Sequence, residues 1–187
     1  IRTSERMFYQ KITDIFAECS IDYDKSSDEA ITFYKTVQNK FHFAITGQTA
    51  AEIIYNRVDA KKDNMGLTTW ENSPDGKILK SDVTIAKNYL DEKEIKNLNN
   101  LVNLFLDIAE NNAERNIPMY MSDWKKEVEN ALTLFHYEVL EGKGKISHKM
   151  AVEKAEGEYD KYKVIQDKNY VSDFDKLLNE TKQIEKN

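Results

Sequence analysis

Residues 46–90, TGQTAAEIIYNRVDAKKDNMGLTTWENSPDGKILKSDVTIAKNYL, form the stretch of this sequence in which glycine, aromatic and polar residues are most densely mixed. Within it, residues 59–80 have weak periodicity and contain Pro74 and the turn signal Asp75-Gly76, which predicts a long loop. Long loops in compact domains are often functional. Apolar side chains predict that this loop is ordered and pinned onto a helical body: Met65, Leu67 and Trp70.

Helices are predicted on both sides of this loop, and capping-box spacing indicates where several of them begin. The capping pairs are Ser26/Glu29, Thr49/Glu52, Asp91/Glu94 and Ser172/Asp175. Further predicted starts are Ser81, Ser122 and Ser147. Predicted ends are Thr46 before Gly47, Arg57, the residues before Pro118, and Gly142.

These patterns predict an all-α protein of about seven or eight helices, in which residues 1–187 form a single domain. Charged residues make up 32% of the chain, which has only 6 glycines and 2 prolines, and this composition favours helices over sheets. The first helix is expected over residues 3–19. Residues 171–187 are expected to form a terminal helix that can lie at the periphery.

Composition also bounds the function. The net charge of −6 predicts no general attraction to DNA or to anionic membranes. With Cys19 as the single cysteine, no intrachain disulfide can form, which fits the reducing cytosol. No apolar run is long enough to span a membrane, and no signal peptide is recognisable. Because the chain begins at Ile1, it is interpreted as a fragment or a processed form, from which another domain is missing.

Catalytic and metal-binding motifs with known spacing are absent from the sequence. It contains no HExxH, no close cysteine–histidine pattern, no P-loop and no GxSxG. The three histidines, His42, His136 and His148, are far apart in the sequence, whereas zinc ligands are usually closely spaced. We therefore expect no metal site and no cofactor.

The central stretch nevertheless supplies a candidate pocket for a polar or phosphorylated ligand, because basic side chains near helix starts can hold phosphate. Its candidate ligand-binding residues are His42, Thr49, Glu52, Arg57, Asp59, Asn64, Lys87 and Asn88. A structural interpretation stands beside this one: Glu52 bonds the backbone at its own helix start, His42 is a satisfied structural histidine, and the remaining residues fix the loop. On that interpretation Glu52→Gln is expected to be nearly silent.

A narrow apolar seam on the terminal helix suggests self-association. Its residues are Phe174, Leu177, Leu178, Thr181 and Ile184. Their spacing in threes and fours is typical of a helix–helix seam. The seam can pack on the body of the same chain or on a second copy, and a homodimer is the partner expected in the second case.

Several segments resemble the RhuM-type virulence protein family. They are SERMFYQKITDIFAECSIDYD, TAAEIIYNRVDAKKDNMGLTTW, KSDVTIAKNYLDEKEIKNLN, NIPMYMSDW, GKISHKMA and AEGEYDKY. The resemblance covers nearly the whole chain and rests on long motifs. It implies a bacterial protein linked to pathogenicity islands and mobile elements, with an amino-terminal domain similar to phage-type DNA-binding modules, which this chain lacks. It implies no catalytic residues, and the HPFxxGN loop of Fic-type relatives is absent.

Together these observations favour a non-enzymatic interaction or oligomerisation domain of a bacterial, cytoplasmic, virulence-associated DNA-binding protein. In this interpretation DNA is contacted only through the missing amino-terminal domain. The alternative is an enzyme or ligand-binding domain that acts on a nucleotide or nucleic acid through residues 46–90. The first function requires an exposed apolar surface, and the second requires a pocket on which His42, Glu52, Arg57, Asp59 and Asn64 converge.

The charge pattern predicts that this chain binds duplex DNA poorly. Its net charge of −6 and the lack of a basic stripe on any predicted helix leave little to neutralise phosphates. A fluorescence anisotropy titration with a labelled duplex at physiological salt measures this directly. Sub-micromolar affinity would contradict the prediction.

Overall fold

The computed structural model describes residues 2–24 and 26–170, and this part of the chain is helical without a β-strand. The six α-helices are α1 (Arg2–Cys19), α2 (Asp28–Thr46), α3 (Ala50–Arg57), α4 (Glu92–Glu114), α5 (Met121–Leu134) and α6 (His148–Asn169). Two short 3-10 helices lie between α3 and α4, at Asp63–Gly66 and Ala86–Tyr89. The predicted all-α class is confirmed.

The number of helices is smaller than predicted: residues 2–24 and 26–170 contain six α-helices where the sequence suggested seven or eight overall. Ser81 does not start an α-helix, because turns occupy residues 80–84 and the 3-10 helix begins only at Ala86. The helix predicted from Ser172 lies outside the described residues. The same holds for its seam of Phe174, Leu177, Leu178, Thr181 and Ile184.

Helix starts follow the predicted caps closely, except that α5 begins at Met121 with Tyr120 as its cap, two residues before the predicted Ser122. Complete capping boxes are present at Thr49/Glu52 and Asp91/Glu94, as predicted. The cap of α2 was placed one residue too early, because the hydroxyl of Ser27 accepts the N–H of Ala30.

The end of α5 was predicted eight residues too late. α5 stops at Leu134, and the next turn places His136 in the left-handed conformation with a φ of 60°. The N–H groups of His136 and Tyr137 then donate to the main-chain oxygens of Thr133 and Leu132, which is the Schellman pattern of a helix end. This helix end uses a histidine in place of the usual glycine, so the sequence carried no signal that predicted it.

Helices α1, α2, α4 and α5 pack around a buried aromatic cluster. The ring centroid of Phe16 lies 5.2 Å from that of Phe33 and 5.0 Å from that of Trp124. Phe105 continues the cluster, 6.3 Å from Trp124 and 6.1 Å from Phe41. Such edge-on and tilted pairs add to the stabilisation that comes from burying the rings.

A second layer lies beside this body. α3 packs mainly on α6 and on the 3-10 helix at Ala86–Tyr89, and it also contacts α2. The loop of residues 59–80 runs within this layer, with Met65 and Leu67 buried and Trp70 partly buried. Met65 and Leu67 thus lie in the core, and Trp70 packs against it. Among the described residues, no helix combines the length and the apolar character that crossing a membrane requires.

His136→Gly is expected to raise the free energy of unfolding by about 0.5–1 kcal/mol, because glycine adopts the left-handed conformation without a Cβ penalty. The His136 side chain is exposed, so little packing is lost. Urea denaturation monitored by circular dichroism measures the change. Gly47 ends α2 in the same conformation, with a φ of 69°, so Gly47→Ala serves as the control and should lower stability. A decrease for His136→Gly would show that its side chain stabilises the turn.

Candidate functional site

The carboxylate of Glu52 fixes the start of α3 through two hydrogen bonds. Oε2 of Glu52 accepts the N–H of Thr49 at 2.8 Å, which closes the capping box. Oε1 accepts the N–H of Lys145 at 2.7 Å, 93 residues further along the chain. Burial raises the pKa of Glu52, but the N–H groups of Lys145 and Thr49 outweigh this effect and leave the pKa below its ordinary value. Both oxygens therefore hold the backbone of this chain.

Gly144 allows the segment that contains Lys145 to lie close to the start of α3. A Cβ atom at this position would lie 2.7 Å from Cγ2 of Thr49, which is closer than side chains tolerate. Thr49 itself is buried, with 1% of its surface exposed. The segment before α6 is thus fitted against the start of α3, and Glu52 bonds it there.

The end of α3 is fixed by a two-pronged ion pair. Nη1 and Nη2 of Arg57 donate to the two carboxylate oxygens of Glu94, each at 2.7 Å. Nη1 also donates to the main-chain oxygen of Tyr89 at 2.8 Å. The hydrogen bonds between the two side chains raise the pKa of Arg57 and lower that of Glu94. Because Glu94 belongs to the capping box of α4, the pair joins the end of one helix to the start of the next.

A buried aspartate organises the loop from within. Asp82 is fully buried, and its two oxygens accept the N–H groups of Leu79 at 2.8 Å and Glu71 at 3.1 Å. The side-chain amide of Asn88 donates to the main-chain oxygen of Asp82 at 2.9 Å. The main-chain oxygen of Asn88 in turn accepts the N–H of Thr68 at 2.8 Å. Carboxylates and amides that bind backbone groups in this way replace the hydrogen bonds of regular secondary structure.

Helix α6 holds the same loop from outside by binding its main chain. Nζ of Lys154 donates to the main-chain oxygen of Tyr55 and lies 4.3 Å from the centre of the Tyr55 ring. Oε2 of Glu158 accepts the N–H of Ala60 at 2.8 Å. The amide of Gln166 makes two bonds to Ile78, accepting its N–H at 2.8 Å and donating to its main-chain oxygen at 3.1 Å. α6 therefore holds the main chain of residues 55–78 at three points.

Two ion pairs add to this contact at the surface. Lys77 lies 2.7 Å from Asp167, and Lys80 lies 3.0 Å from Glu156. All four side chains are at least one-third exposed, so solvent screens the pairs and they contribute little stability.

The other predicted site residues lie in separate local settings. His42 is buried in α2, and its Nδ1 donates to the main-chain oxygen of Gln38, one turn earlier, at 2.7 Å. Oδ1 of Asp59 accepts the N–H of Lys61 at 2.9 Å. Asn64 is exposed in the left-handed conformation, and Lys87 is buried.

Of the eight candidate residues, Thr49 and Glu52 contact each other directly. Arg57 and Asn88 instead bond to Glu94 and Asp82, which are not among the eight. The described residues contain no group of three or more histidine, cysteine, aspartate or glutamate side chains placed to hold a metal ion.

An open cleft lies away from the central stretch, between the end of α1 and the connection from α4 to α5. It is lined by Glu18, Ser20, Ile21, Ala113, Asn116, Ile117 and Pro118. The hydroxyl of Ser20 accepts the indole N–H of Trp124 at 2.7 Å. The N–H of Ile21 donates to the main-chain oxygen of Met119, which ties the two walls of the cleft together.

The fold defines a helical protein in which the polar central stretch is bonded to its own chain at both ends and along its length. The sequence profile of the Virulence protein RhuM family matches residues 1–171, and the chain belongs to this family. No curated protein and no solved structure matches it significantly.

The contact with Lys145 changes the expectation for Glu52→Gln. Glutamine has one oxygen and one NH₂ group in place of two acceptors, so either Thr49 or Lys145 loses its partner. Because the carboxylate is only partly buried, we expect a loss of about 1 kcal/mol at pH 7 in the free energy of unfolding. Glu92→Gln, at the exposed start of α4, is the control and should be silent within about 0.5 kcal/mol.

The pH dependence of this loss identifies the carboxylate as its source. A carboxyl with a lowered pKa stabilises the fold above its ordinary pKa of 4.5 and loses that contribution as the pH falls through its folded value. The difference between wild type and Glu52→Gln should therefore shrink below about pH 4.5. Chemical denaturation at pH 7, 5 and about 3.5 tests this, and a difference that does not change with pH would contradict it.

Proposed function

We propose that this chain is a non-enzymatic interaction and oligomerisation module of a bacterial RhuM-family protein. The observation that supports this most strongly is the use made of the polar central stretch. Glu52, Arg57, Asp82 and Asn88 all bond to groups of the same chain. These side chains order a loop, and a rigid loop-and-helix layer is suited to presenting a surface.

The directions of the pKa shifts support the same proposal. A general acid or base works best with a pKa near the operating pH, so enzymes raise catalytic carboxyl groups towards neutrality. Here the pKa values of Glu52 and Glu94 are lowered, away from neutrality, by N–H groups and by Arg57. Burial raises the pKa of Tyr89, whose hydroxyl donates to the main-chain oxygen of Val83. Each of these groups is bonded to another group of the same chain, as a structural role requires.

The link to DNA enters this proposal indirectly. With its net charge of −6, the chain is poorly suited to the phosphate backbone. We therefore assign DNA contact to an amino-terminal domain of the kind that the family resemblance implies, and assembly to this chain. Two-fold assembly is the usual way in which DNA-binding proteins match two half-sites.

Arg57→Lys separates this function from a ligand-binding or enzymatic one. Lysine cannot form the two-pronged pair with Glu94 or keep the bond to Tyr89, so the free energy of unfolding should fall by about 1–3 kcal/mol. Self-association, measured by sedimentation equilibrium of the whole chain from one to several hundred micromolar, should be unchanged. Arg115→Lys, the same replacement at an exposed site, is the matched control for stability.

Two results would contradict the proposal. Wild-type chain that stays monomeric over the whole concentration range would rule out oligomerisation. An Arg57→Lys variant with unchanged stability and lost biological activity would favour the alternative, a pocket for a nucleotide or nucleic acid in residues 46–90.

A further inference from the structure

Helix α6 packs chiefly on the second layer of the molecule and little on the aromatic body. Its main contacts are with α3 and with the 3-10 helix at Asp63–Gly66. The main-chain bonds described above attach it to Tyr55, Ala60 and Ile78, which all belong to α3 or to the loop. A helix attached in this way can leave its place while α1, α2, α4 and α5 keep their packing.

The connection that leads into α6 has an exposed segment between two anchored residues. Nζ of Lys40 donates to the main-chain oxygen of Leu140 at 3.2 Å, and the N–H of Lys145 donates to Glu52 at 2.7 Å. Residues 141–143, between these anchors, are all exposed. Gly142 has a φ of 84°, and a Cβ at this position would meet no atom within 4 Å. Because a glycine in open space changes its dihedral angles at low cost, the chain can alter its direction here.

The anchors separate a movable arm from the rest of the chain. The arm, residues 144–169, comprises Gly144, which is fitted against Thr49, and the whole of α6. Every contact that the arm makes with α3 and the loop would be equally available on a second copy, because the two copies have the same sequence. Exchange of the arm therefore needs a new path of the chain only at residues 141–143.

An exchanged arm also supplies a dimer interface that the described surface otherwise lacks. Homodimer interfaces usually bury a contiguous apolar patch. Among the side chains that the structure describes, the large apolar ones that are exposed come from separate parts of the chain, and at most two of them are adjacent in the sequence. They are Ile21, Ile31, Leu79, Tyr120, Leu134, Phe135, Met150, Val164, Ile165 and Tyr170. Exchange needs no such patch, because it reuses a contact that already buries Ala151, Ala155 and Tyr159.

We propose that two copies of this chain exchange their arms, so that α6 of each copy packs on α3 and the loop of the other. This inference rests on the proposed function and names its interface. It also places the two copies relative to each other. Leu140 stays bound to Lys40 of its own chain while Lys145 binds Glu52 of the second copy, and the chain from Leu140 to Lys145 spans at most about 18 Å. The two copies must therefore meet near the start of α3.

Cross-linking of a mixture of labelled and unlabelled whole chain tests the exchange directly. Equal amounts of unlabelled and isotopically labelled protein are unfolded, mixed and refolded together, and a carbodiimide then joins lysines to the carboxylates that they contact. The informative cross-links are Lys77–Asp167 and Lys80–Glu156, which connect the loop to the arm. In exchanged dimers about half of these cross-linked peptides should combine both labels, since chains pair at random. In a closed chain none should do so.

The ion pair between Lys11 and Glu110 is the matched control. Both residues belong to the helical body, on α1 and α4, and their side chains are similarly exposed. Cross-linked peptides of this pair should never combine both labels. The mixed fraction for Lys80–Glu156 should rise with protein concentration in step with the dimer fraction measured by sedimentation equilibrium. Dimers whose cross-links between loop and arm stay unmixed would overturn the exchange.

Inversion of the charges between loop and arm gives an independent test. One variant carries Lys77→Glu and Lys80→Glu, and a second carries Glu156→Lys and Asp167→Lys. Each variant alone brings like charges together, whether its arm is closed or exchanged. When the two are refolded together, exchange places the inverted loop on the inverted arm and the native loop on the native arm, so every pair is of opposite charge. Native mass spectrometry should then show the mixed dimer in at least about fivefold excess over its statistical share.

The same mixing experiment with Lys11→Glu and Glu110→Lys should give only the statistical share, because this pair stays within one chain. A statistical mixture for both sets of variants would contradict the exchange. If wild type dimerises with unmixed cross-links, the arm stays on its own chain and the proposed function stands with another interface. If wild type stays monomeric over the whole concentration range, both inferences are wrong.

Discussion

The paired hydrogen bonds between Arg57 and Glu94 are the contact on which the placement of the central stretch depends. They join the end of α3 to the start of α4, and they close a segment of 37 residues that contains the whole loop. Closing a flexible segment of that length has an entropic cost. The pair stabilises the closed state with geometry as well as charge, because a guanidinium matches a carboxylate at two points. Both 3-10 helices and the buried Asp82 lie within the closed segment.

The two helix-start glutamates show how few side chains are needed to organise this layer. Glu52 and Glu94 each satisfy a free N–H at their own helix start and, with the same carboxylate, fix a distant part of the chain. Local and long-range order are therefore coupled, since a change that loosens the helix start also releases the remote segment. Both contributions also disappear together in acid, because each depends on an ionised carboxylate.

The sequence predicted the local contacts of this layer and missed the long-range ones. Caps depend on residues three apart, so Thr49/Glu52 and Asp91/Glu94 were found from spacing alone. The remote partners were not found, because nothing in the residue types links Glu52 to Lys145 or Arg57 to Glu94. The contacts of α6 were hidden for another reason. Lys154, Glu158 and Gln166 bind peptide groups, which every residue carries, so the side chains of residues 55, 60 and 78 give no sign of these bonds. The stop of α5 at His136 was missed because a left-handed histidine is rare.

Recognition of the loop through its peptide groups has a consequence for how the protein can change. The anchors at Ala60 and Ile78 meet Glu158 and Gln166, two residues about 12 Å apart along α6. Between these anchors, residues 71–75 at the tip are all exposed. Substitutions at the tip leave the anchoring bonds intact, because those bonds do not depend on which side chains the loop carries. The backbone of this layer can therefore keep its conformation while the side chains of residues 71–75 change.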